Sequence, residues 1–342
     1  MTTADANHNS TADPKNRCKN NAAVLGHPIS HSLSPVLHNA AYKALGISKE
    51  WNYEKIDVTK EELEDFLISA GSSRRGLSLT MPLKKEILKF ARKRGRFTEL
   101  LGVANTVVFD RCEFSAKEKN GSCKNNRDSM PAFDVYNTDV EGIVRALRPE
   151  MSAGITHFEK IENDGEHHCI QTKTDPFMRG LVVGNGATAE SAVTALRFLG
   201  CENMTVVARN VQKAARIMTV LAEKLSIELK IISFDDLLSD YKKIEKFTYA
   251  VSTVPAYAAD IFANILPETA ENSSASLLDV VYDPRPSKIV SAWKAAGYRA
   301  LSGESMLLRQ AVGQVALMTG ISAKETEEKA FEAMKTALIK EL

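Results

Sequence analysis

The sequence predicts an α/β protein built from two domains. The chain has 342 residues, and at about 150 residues per domain this length corresponds to roughly two domains. In the first half, short apolar runs alternate with amphipathic stretches in the order strand, helix, strand, helix, which is typical of a layered α/β domain. From Gly180 onward the alternation is sharper and includes a glycine-rich turn, a pattern that predicts a doubly wound parallel sheet.

The first half begins with a predicted strand near Ala22. A helix is expected from Ser34-Pro35 to about Leu45, because proline suits the first helical positions and serine can accept hydrogen bonds from the free N–H groups there. The segment WNYEKIDV alternates as a strand does, Glu61–Ala70 is amphipathic, and GLSLTM is another short strand. Since a proline follows that strand, we predict a further helix from Pro82 to about Phe90.

The second half has the more regular pattern. The segment GLVVGNGATAESAVTALRFLG predicts a strand, a turn and a helix in succession. Further strands are expected in NMTVVARN, YAVSTVP, SLLDVVYDP and YRALSG, with helices in VQKAARIMTVLAEKL and KIVSAWKAAG. Two more helical patterns follow from Met306 to the end of the sequence.

Three polar stretches interrupt these elements. Residues 1–20 lack the 7–15-residue apolar run of a signal peptide and are expected to be a disordered tail. Residues 112–129 are charged and rich in Asn, Gly and Ser, which predicts a long surface hairpin or insertion. Residues 150–177 are expected to form a second insertion or the approach to a new domain.

Composition excludes several classes of protein. Lys and Arg number 44 and Asp and Glu 43, so that a net charge of +1 gives no general attraction to nucleic acid or a membrane surface. The five cysteines are scattered without a CxxC pair, which argues against a disulfide framework and against a metal site. No run of about 18 apolar residues is present to span a bilayer. We therefore expect a cytoplasmic protein without a nucleic-acid or membrane partner.

The glycine-rich turn predicts a dinucleotide site. Gly184, Gly186 and Ala189 fit G-x-G-x-x-A after an apolar strand and before a helix. Gly184 would allow the tight turn, and Gly186 would let a pyrophosphate approach the helix N-terminus formed by Ala187 and Thr188. The alternative is a purely structural glycine turn.

The end of the next strand favours NADP over NAD. An NAD-binding domain usually has Asp or Glu there to hold the ribose 2′-hydroxyl, whereas this strand ends in Ala208, Arg209 and Asn210, with Lys213 one turn into the next helix. Cations at this point suit a 2′-phosphate, which neutral Asn210 could also contact. The alternative interpretation of Arg209 is a solvated surface side chain.

Polar side chains with the potential for chemistry follow the strands of the first half. Ser32 and Ser34 lie at a strand-to-helix junction, where hydroxyl and helix N–H groups can bind a small carboxylate. Lys84 is predicted one turn inside a helix, while Asn105 and Asp139 belong to polar pairs that follow apolar segments. Each of these, taken alone, could be a turn or cap residue.

Taken together, the motifs identify a family. Their order is HSxSP, LTMPxK, GVANT, NTDxxG, GxGxxA, STVP, DVVYDP and MLLxQA, and it resembles the shikimate dehydrogenase family over about residues 22–320, in the form found in high-GC Gram-positive bacteria. The resemblance implies NADPH-dependent, reversible reduction of 3-dehydroshikimate to shikimate in aromatic amino-acid biosynthesis. It also implies a substrate domain over 21–141, a Rossmann-type NADP domain over 142–302, and C-terminal helices over 303–342 that return to the substrate domain.

The resemblance also implies a role for each matching residue. Ser32 and Ser34 match the serines that hold the substrate carboxylate, and Thr80 matches a substrate-binding threonine. Lys84 matches the catalytic lysine and Asp139 the aspartate paired with it. Whether Lys84 donates the proton or acts as an electrostatic clamp stays open, because burial and a nearby carboxylate shift a lysine pKa in opposite directions.

Four further positions match residues around the substrate ring and the nicotinamide. Asn105 and Gln310 match residues that bind ring hydroxyls, and Tyr282 lies where the family has a tyrosine near the substrate. Met306 matches a residue that lines the nicotinamide site.

The sequence departs from the common family pattern at Ser78, where an asparagine often contacts a substrate hydroxyl. Fine substrate specificity therefore stays open. One alternative is a quinate/shikimate dehydrogenase that works oxidatively with NAD, and another is a catalytically silent dinucleotide-binding paralogue. A monomer and a homodimer are both compatible with the sequence.

Overall fold

The computed structural model of the chain describes residues 20–70, 74–110, 130–150, 178–239, 247–263 and 275–342. They form two six-stranded sheets with helices packed on both. The predicted tail and both predicted polar insertions lie almost entirely outside the described residues. No helix among the described residues combines the length and the apolar character that crossing a membrane requires.

The first sheet has the strand order β2-β1-β3-β5-β6-β4. Its strands are β1 (Asn20–Gly26), β2 (Trp51–Asp57), β3 (Arg74–Leu79), β4 (Lys93–Arg94), β5 (Thr106–Phe109) and β6 (Phe133–Tyr136). β1 pairs in parallel with β2 and β3, whereas β5 pairs antiparallel with both β3 and β6. The sheet is therefore mixed, and β5 and β6 flank the segment predicted as a hairpin.

The second sheet is parallel throughout and has the order β9-β8-β7-β10-β11-β12. Its strands are β7 (Arg179–Val183), β8 (Asn203–Ala208), β9 (Glu228–Ser233), β10 (Tyr249–Ser252), β11 (Ser276–Asp279) and β12 (Arg299–Leu301). This is the order of a doubly wound dinucleotide-binding sheet, with its switch point between β7 and β10. The predicted α/β fold class, with a Rossmann-type second part, is confirmed.

Helices pack on both sheets. They are α1 (Ser34–Ala44), α2 (Leu63–Ala70), α3 (Arg96–Leu101), α4 (Asp139–Leu147), α5 (Ala187–Phe198), α6 (Val211–Leu225), α7 (Phe234–Ser239), α8 (Lys288–Ala295), α9 (Glu304–Thr319) and α10 (Ala323–Glu341). α4 is buried along its whole length and packs against both α5 and α9. α9 and α10 return to the first sheet, where α9 contacts β3 and β5 and α10 lies on α1.

The α-helix predicted from Pro82 to Phe90 is wrong. Residues 81–85 form turns, and Glu86–Lys89 is a short 3₁₀ helix. In an α-helix the Lys84 carbonyl would accept from the N–H of Leu88, but here it accepts from the N–H of Ala104 at 2.9 Å, and Leu88 donates to Lys85 instead. The contact with the segment before β5 therefore replaces the helical bond and ties the Lys84 backbone to that segment.

The predicted capping role of Ser34 is also wrong. The N-cap of α1 is Leu33, and Ser34 is the first helical residue, with Pro35 next. The Ser32 hydroxyl accepts from the N–H of Ser34 at 3.4 Å, so a local side-chain contact is made by the earlier serine.

Candidate active site

A cavity of about 260 Å³ lies between the two sheets and is lined by residues from both parts of the fold. Its walls come from the segments that follow β1, β3 and β11, and from the starts of α4, α5 and α9. Ten of the residues predicted from the sequence line it: Ser32, Ser34, Thr80, Lys84, Asn105, Asp139, Thr188, Tyr282, Met306 and Gln310. The fold thus gathers residues that are far apart in the sequence around one space.

Lys84 and Asp139 form an ion pair at the cavity wall. Lys84 Nζ lies 2.5 Å from Asp139 Oδ2, and the two side chains are only 15% and 5% exposed. Asp139 is the first residue of α4, and its N–H donates to Asn137 Oδ1 at 3.0 Å. Because the N-terminus of a helix favours negative charge, the fold holds a carboxylate here and the carboxylate in turn holds the lysine ammonium.

Asn105 fixes the other oxygen of that carboxylate. The N–H of Thr138 donates to Asn105 Oδ1 at 2.9 Å, so the amide nitrogen faces the opposite way and donates to Asp139 Oδ1 at 2.8 Å. The same nitrogen lies 3.3 Å from Gln310 Oε1. Both carboxylate oxygens of Asp139 therefore have a partner: Oδ2 binds Lys84, and Oδ1 binds Asn105.

The loop that carries the two serines is supported by the end of β2. Asp57 accepts from the His27 ring at 2.6 Å and from the N–H of Ile29 at 3.3 Å. Lys55 Nζ donates to the Ser30 carbonyl at 2.5 Å. The hydrogen bond and charge of Asp57 raise the pKa of His27 above 6.5. These contacts shape the loop before any ligand arrives.

Four buried side chains under the cavity form a hydrogen-bond cluster, of which the sequence analysis singled out only Ser78. Tyr53 Oη lies 2.6 Å from Ser78 Oγ, which lies 2.8 Å from Gln314 Oε1. His38 Nε2 is 3.3 Å from the same Gln314 oxygen, and burial lowers the His38 pKa to about 3. Gln314 follows Gln310 by one helical turn on α9, a spacing that could have identified it, whereas the alternation of β2 predicts only that Tyr53 faces inward.

The glycine-rich turn has the geometry that a dinucleotide needs. Gly184 has a φ of +121°, and a Cβ there would stand 2.3 Å from Thr253 Oγ1, so no larger residue fits. At Gly186 a Cβ would meet nothing within 4 Å, so the space above the N-terminus of α5 is open. Free N–H groups at a helix start attract a phosphate, and the residues present therefore fit a pyrophosphate group.

The predicted 2′-phosphate residues lie at the end of β8 and outside the cavity walls. Arg209, Asn210 and Lys213 are exposed, while Ala208 is buried as the last residue of the strand. Asn210 Oδ1 caps α6 by accepting from the N–H of Lys213 at 2.8 Å. Asn210 thus has a structural role, and the two cations stand beside a helix N-terminus that itself favours an anion.

Two polar contacts connect the lysine loop and α4 to α5. Lys85 Nζ lies 2.6 Å from Glu190 Oε1, and the Glu190 side chain is only 3% exposed. Burial raises the pKa of Glu190, and the hydrogen bond from Lys85 opposes that shift. Asn137 Nδ2 donates to Ser191 Oγ at 3.2 Å. Lys85 and Asn137, which lie close to Lys84 and Asp139 in the sequence, therefore bind the helix that follows the glycine-rich turn.

The site can combine an anion-binding loop, a paired ammonium and a dinucleotide turn around one cavity. It has no metal centre within the described ranges, where no three His, Cys, Asp or Glu side chains are grouped to share an ion. Burial also raises the pKa of the Tyr282 phenol on the cavity wall, so that it stays protonated and can donate. This arrangement suits proton transfer coupled to hydride transfer on a small carboxylic acid.

Comparison with known proteins agrees with that chemistry. Residues 24–107 match the profile of the shikimate dehydrogenase substrate binding domain, and residues 172–272 match that of shikimate / quinate 5-dehydrogenase. The crystal structure of shikimate dehydrogenase from Mycobacterium tuberculosis is 34% identical, with a TM-score of 0.70 over 94% of this chain and 99% of that one.

Two further relatives are similar over most of their length. Shikimate dehydrogenase (NADP(+)) from Methanopyrus kandleri is 26% identical over 94% of this chain and 96% of its own. The structure of shikimate 5-dehydrogenase from Thermus thermophilus, in complex with NADP(H) and shikimate, is 25% identical with a TM-score of 0.63 over 92% of this chain and 99% of that one.

Proposed function

Because this chain belongs to the shikimate dehydrogenase family, we propose that it catalyses the NADPH-dependent, reversible reduction of 3-dehydroshikimate to shikimate. The observation that carries the proposal is the Lys84–Asp139 ion pair in a cavity that also borders Thr188, behind the glycine-rich turn. This reaction has two requirements: an acid next to the ketone oxygen, and a dinucleotide site that borders the same cavity.

Lys84 acts on the oxygen of the substrate. When bound, NADPH supplies the hydride that reduces the ring carbonyl carbon. The oxygen then carries a negative charge, and the Lys84 ammonium stabilises it and donates the proton that completes the alcohol. Asp139 keeps the lysine charged and aimed at that oxygen through the 2.5 Å contact. In the oxidative direction Lys84 takes the proton back.

The remaining cavity residues orient the ring. Ser32 and Ser34, at the N-terminus of α1, hold the carboxylate. Thr80 also binds the substrate from the cavity wall. Asn105 and Gln310 bind the ring hydroxyls, and Tyr282 lies near the substrate in the same cavity. The Asn105 amide is bound to Asp139, so binding of the ring and placement of the catalytic carboxylate are coupled.

The cofactor is NADP. Gly184, Gly186, Ala187 and Thr188 form the pyrophosphate site at the start of α5, and Met306 borders the nicotinamide at the cavity. Arg209 and Lys213 bind the 2′-phosphate, with Ala208 and Asn210 completing that turn.

Domain limits and cellular context belong to the same proposal. Residues 21–141 together with 303–342 act as the substrate domain, and 142–302 as the NADP domain. The five scattered cysteines suit a reducing compartment, which favours the cytoplasm. The enzyme works as a monomer or a homodimer, with small molecules as its partners.

Initial rates with shikimate and quinate, each with NADP and NAD, test the proposal. We expect shikimate with NADP to give the highest kcat/KM, because the cations at the end of β8 favour a 2′-phosphate. A higher rate for quinate with NADP or NAD would instead identify a quinate dehydrogenase. Binding of NADPH without turnover of 3-dehydroshikimate would identify a silent paralogue.

A further inference from the structure

A backbone carbonyl determines the orientation of the Gln314 amide beneath the cavity. The Asn105 carbonyl can only accept, and Gln314 Nε2 lies 3.1 Å from it, so the amide nitrogen of Gln314 is on that side. The same nitrogen donates to Thr106 Oγ1 at 3.2 Å. Gln314 Oε1 must therefore face Ser78 and His38, and it can only accept from them.

The direction of each proton in the cluster follows from this orientation. Ser78 has a single hydroxyl proton, and its 2.8 Å contact with Gln314 Oε1 uses that proton. Tyr53 must then be the donor in its 2.6 Å contact with Ser78. His38, 3.3 Å from the same Gln314 oxygen, carries its proton on Nε2.

Ser78 is left with one lone pair and no proton to offer. A hydroxyl oxygen can donate once and accept twice; here the donor is committed to Gln314 and one acceptor position to Tyr53. Ser78 is also part of the cavity wall. Tyr53, Ser78 and Gln314 are each at most 3% exposed, so water does not compete for the hydrogen bonds among them.

We propose that Gln314 and Tyr53 are positioning residues for Ser78. Gln314 takes the Ser78 proton and makes Ser78 an acceptor-only group, and Tyr53 occupies one of its two lone pairs. The lone pair that is left selects substrates presenting an O–H donor at that point of the ring. An alcohol satisfies the free lone pair, whereas a carbonyl, ether or fluorine would face it with a second lone pair. The inference rests on the proposed substrate, shikimate, of whose three ring hydroxyls two do not react. It gives a physical role to the serine that replaces the family's usual asparagine.

The test compares shikimate with two analogues in which fluorine replaces one or the other non-reacting hydroxyl. Fluorine is similar in size to a hydroxyl but cannot donate. For each analogue, the discrimination is the ratio of kcat/KM for shikimate to kcat/KM for the analogue. We expect Ser78→Ala to lower this ratio about 10-fold for one analogue, the effect of one lost hydrogen bond at a buried partner, and to leave the other ratio unchanged.

Tyr53→Phe and Gln314→Met test the positioning roles. Tyr53→Phe should raise KM for shikimate more than it lowers kcat and should lower the same ratio part of the way. Gln314→Met frees the Ser78 proton to turn toward the ligand and should lower that ratio further. Tyr42→Phe is the matched control, since Tyr42 is as deeply buried and its hydroxyl has no hydrogen-bond partner within the described part of the chain.

The outcomes separate this inference from the proposed function. A wild-type enzyme without turnover of shikimate would contradict the proposed function itself. If the wild type is active, the inference is overturned when Ser78→Ala changes neither ratio, when it changes both equally, or when Tyr53→Phe behaves like Tyr42→Phe. If Tyr53→Phe or Gln314→Met fails to fold, Ser78→Ala and the other of these two variants decide.

Discussion

The substrate side and the cofactor side of this enzyme are organised in opposite ways. Around the substrate cavity, Lys84, Asn105 and Asp139 are bound to one another and largely buried. On the cofactor side, Arg209 and Lys213 are exposed, and their side chains form no ion pair with the described residues. The substrate half is thus preorganised, whereas the cofactor half relies on backbone N–H groups and on cations that the ligand's own phosphates must order.

The largest effect is expected where this preorganisation is broken. Asp139→Asn removes the charge that holds the Lys84 ammonium while keeping the shape of the side chain. We expect kcat to fall about 10²–10⁴-fold, the range for loss of acid–base function, with a much smaller change in KM. Steady-state kinetics with 3-dehydroshikimate measure both.

Asp134→Asn is the control for that substitution. Asp134 is also paired with a cation, Arg92, but on β6 and away from the cavity walls. It should leave kcat unchanged. Equal losses in the two variants would mean that charge pairing in general, and not this pair, governs the rate.

On the cofactor side, Arg209→Ala should change specificity more than rate. Loss of a charge-assisted contact to the 2′-phosphate should lower kcat/KM for NADPH about 10–100-fold, while the value for NADH stays nearly the same. Arg216→Ala removes an exposed cation farther along α6 and should affect neither. Similar losses with both cofactors would show that Arg209 does not contact the 2′-phosphate.

The Lys85–Glu190 ion pair joins the substrate side to the cofactor side. Removing one partner should cost more stability than removing the other. Lys85→Met leaves the nearly buried Glu190 carboxylate without its cation and should cost about 1–3 kcal/mol of unfolding free energy. Glu190→Gln leaves an ammonium that is about half exposed and can be hydrated, so its cost should be smaller.

Urea unfolding of both variants at several pH values measures this difference. Because burial raises the pKa of Glu190, the deficit of Lys85→Met should shrink as the pH falls and the carboxyl becomes protonated. A larger cost for Glu190→Gln would contradict the assignment of the buried charge.

The smallest effect is expected at the exposed His27–Asp57 pair that supports the serine loop. The pKa of His27 is raised above 6.5 by Asp57, so its contribution is complete below pH 6.5 and is lost as the pH rises through the higher folded value. Asp57 has a lowered pKa, so its contribution is present above 3.8 and is lost as the pH falls through the folded value.

His27→Gln should therefore lower Tm more at pH 5.5 than at pH 8.5, by a small amount because the pair is exposed. Thermal unfolding of both proteins across this range provides the measurement. A deficit that grows with pH would show that the neutral ring, and not the charged one, supports the loop.

Local patterns were sufficient for some parts of the structure and insufficient for others. Five of the six strands of the second sheet were predictable because buried parallel strands and amphipathic helices have different periods, and the turn at Gly184 needs a φ that glycine tolerates. The edge strand β9 was not predicted, since none of its residues is fully buried. The helix predicted after Pro82 failed because the Lys84 carbonyl is taken by Ala104, twenty positions further along the chain. No local pattern records such a contact.

The candidate site divides in the same way. Motif order was enough to predict ten of the residues that line the cavity, although their roles stay predictions. The cluster of Tyr53, Ser78 and Gln314 depends on three elements that meet only in the fold, and a strand or helix pattern marks such residues simply as buried. The capping of α6 by the Asn210 oxygen was not predicted, and its contact with a phosphate stays a prediction.

The central claim is that the Lys84 ammonium, held by Asp139, acts on the reacting oxygen and not on binding. Single-turnover hydride transfer from NADPH to 3-dehydroshikimate, measured for the wild type and Lys84→Ala together with the Kd of each ligand, tests it most directly. We expect the transfer rate to fall about 10²–10⁴-fold while both Kd values change only slightly. An unchanged rate, or a loss explained entirely by weaker binding, would contradict the account.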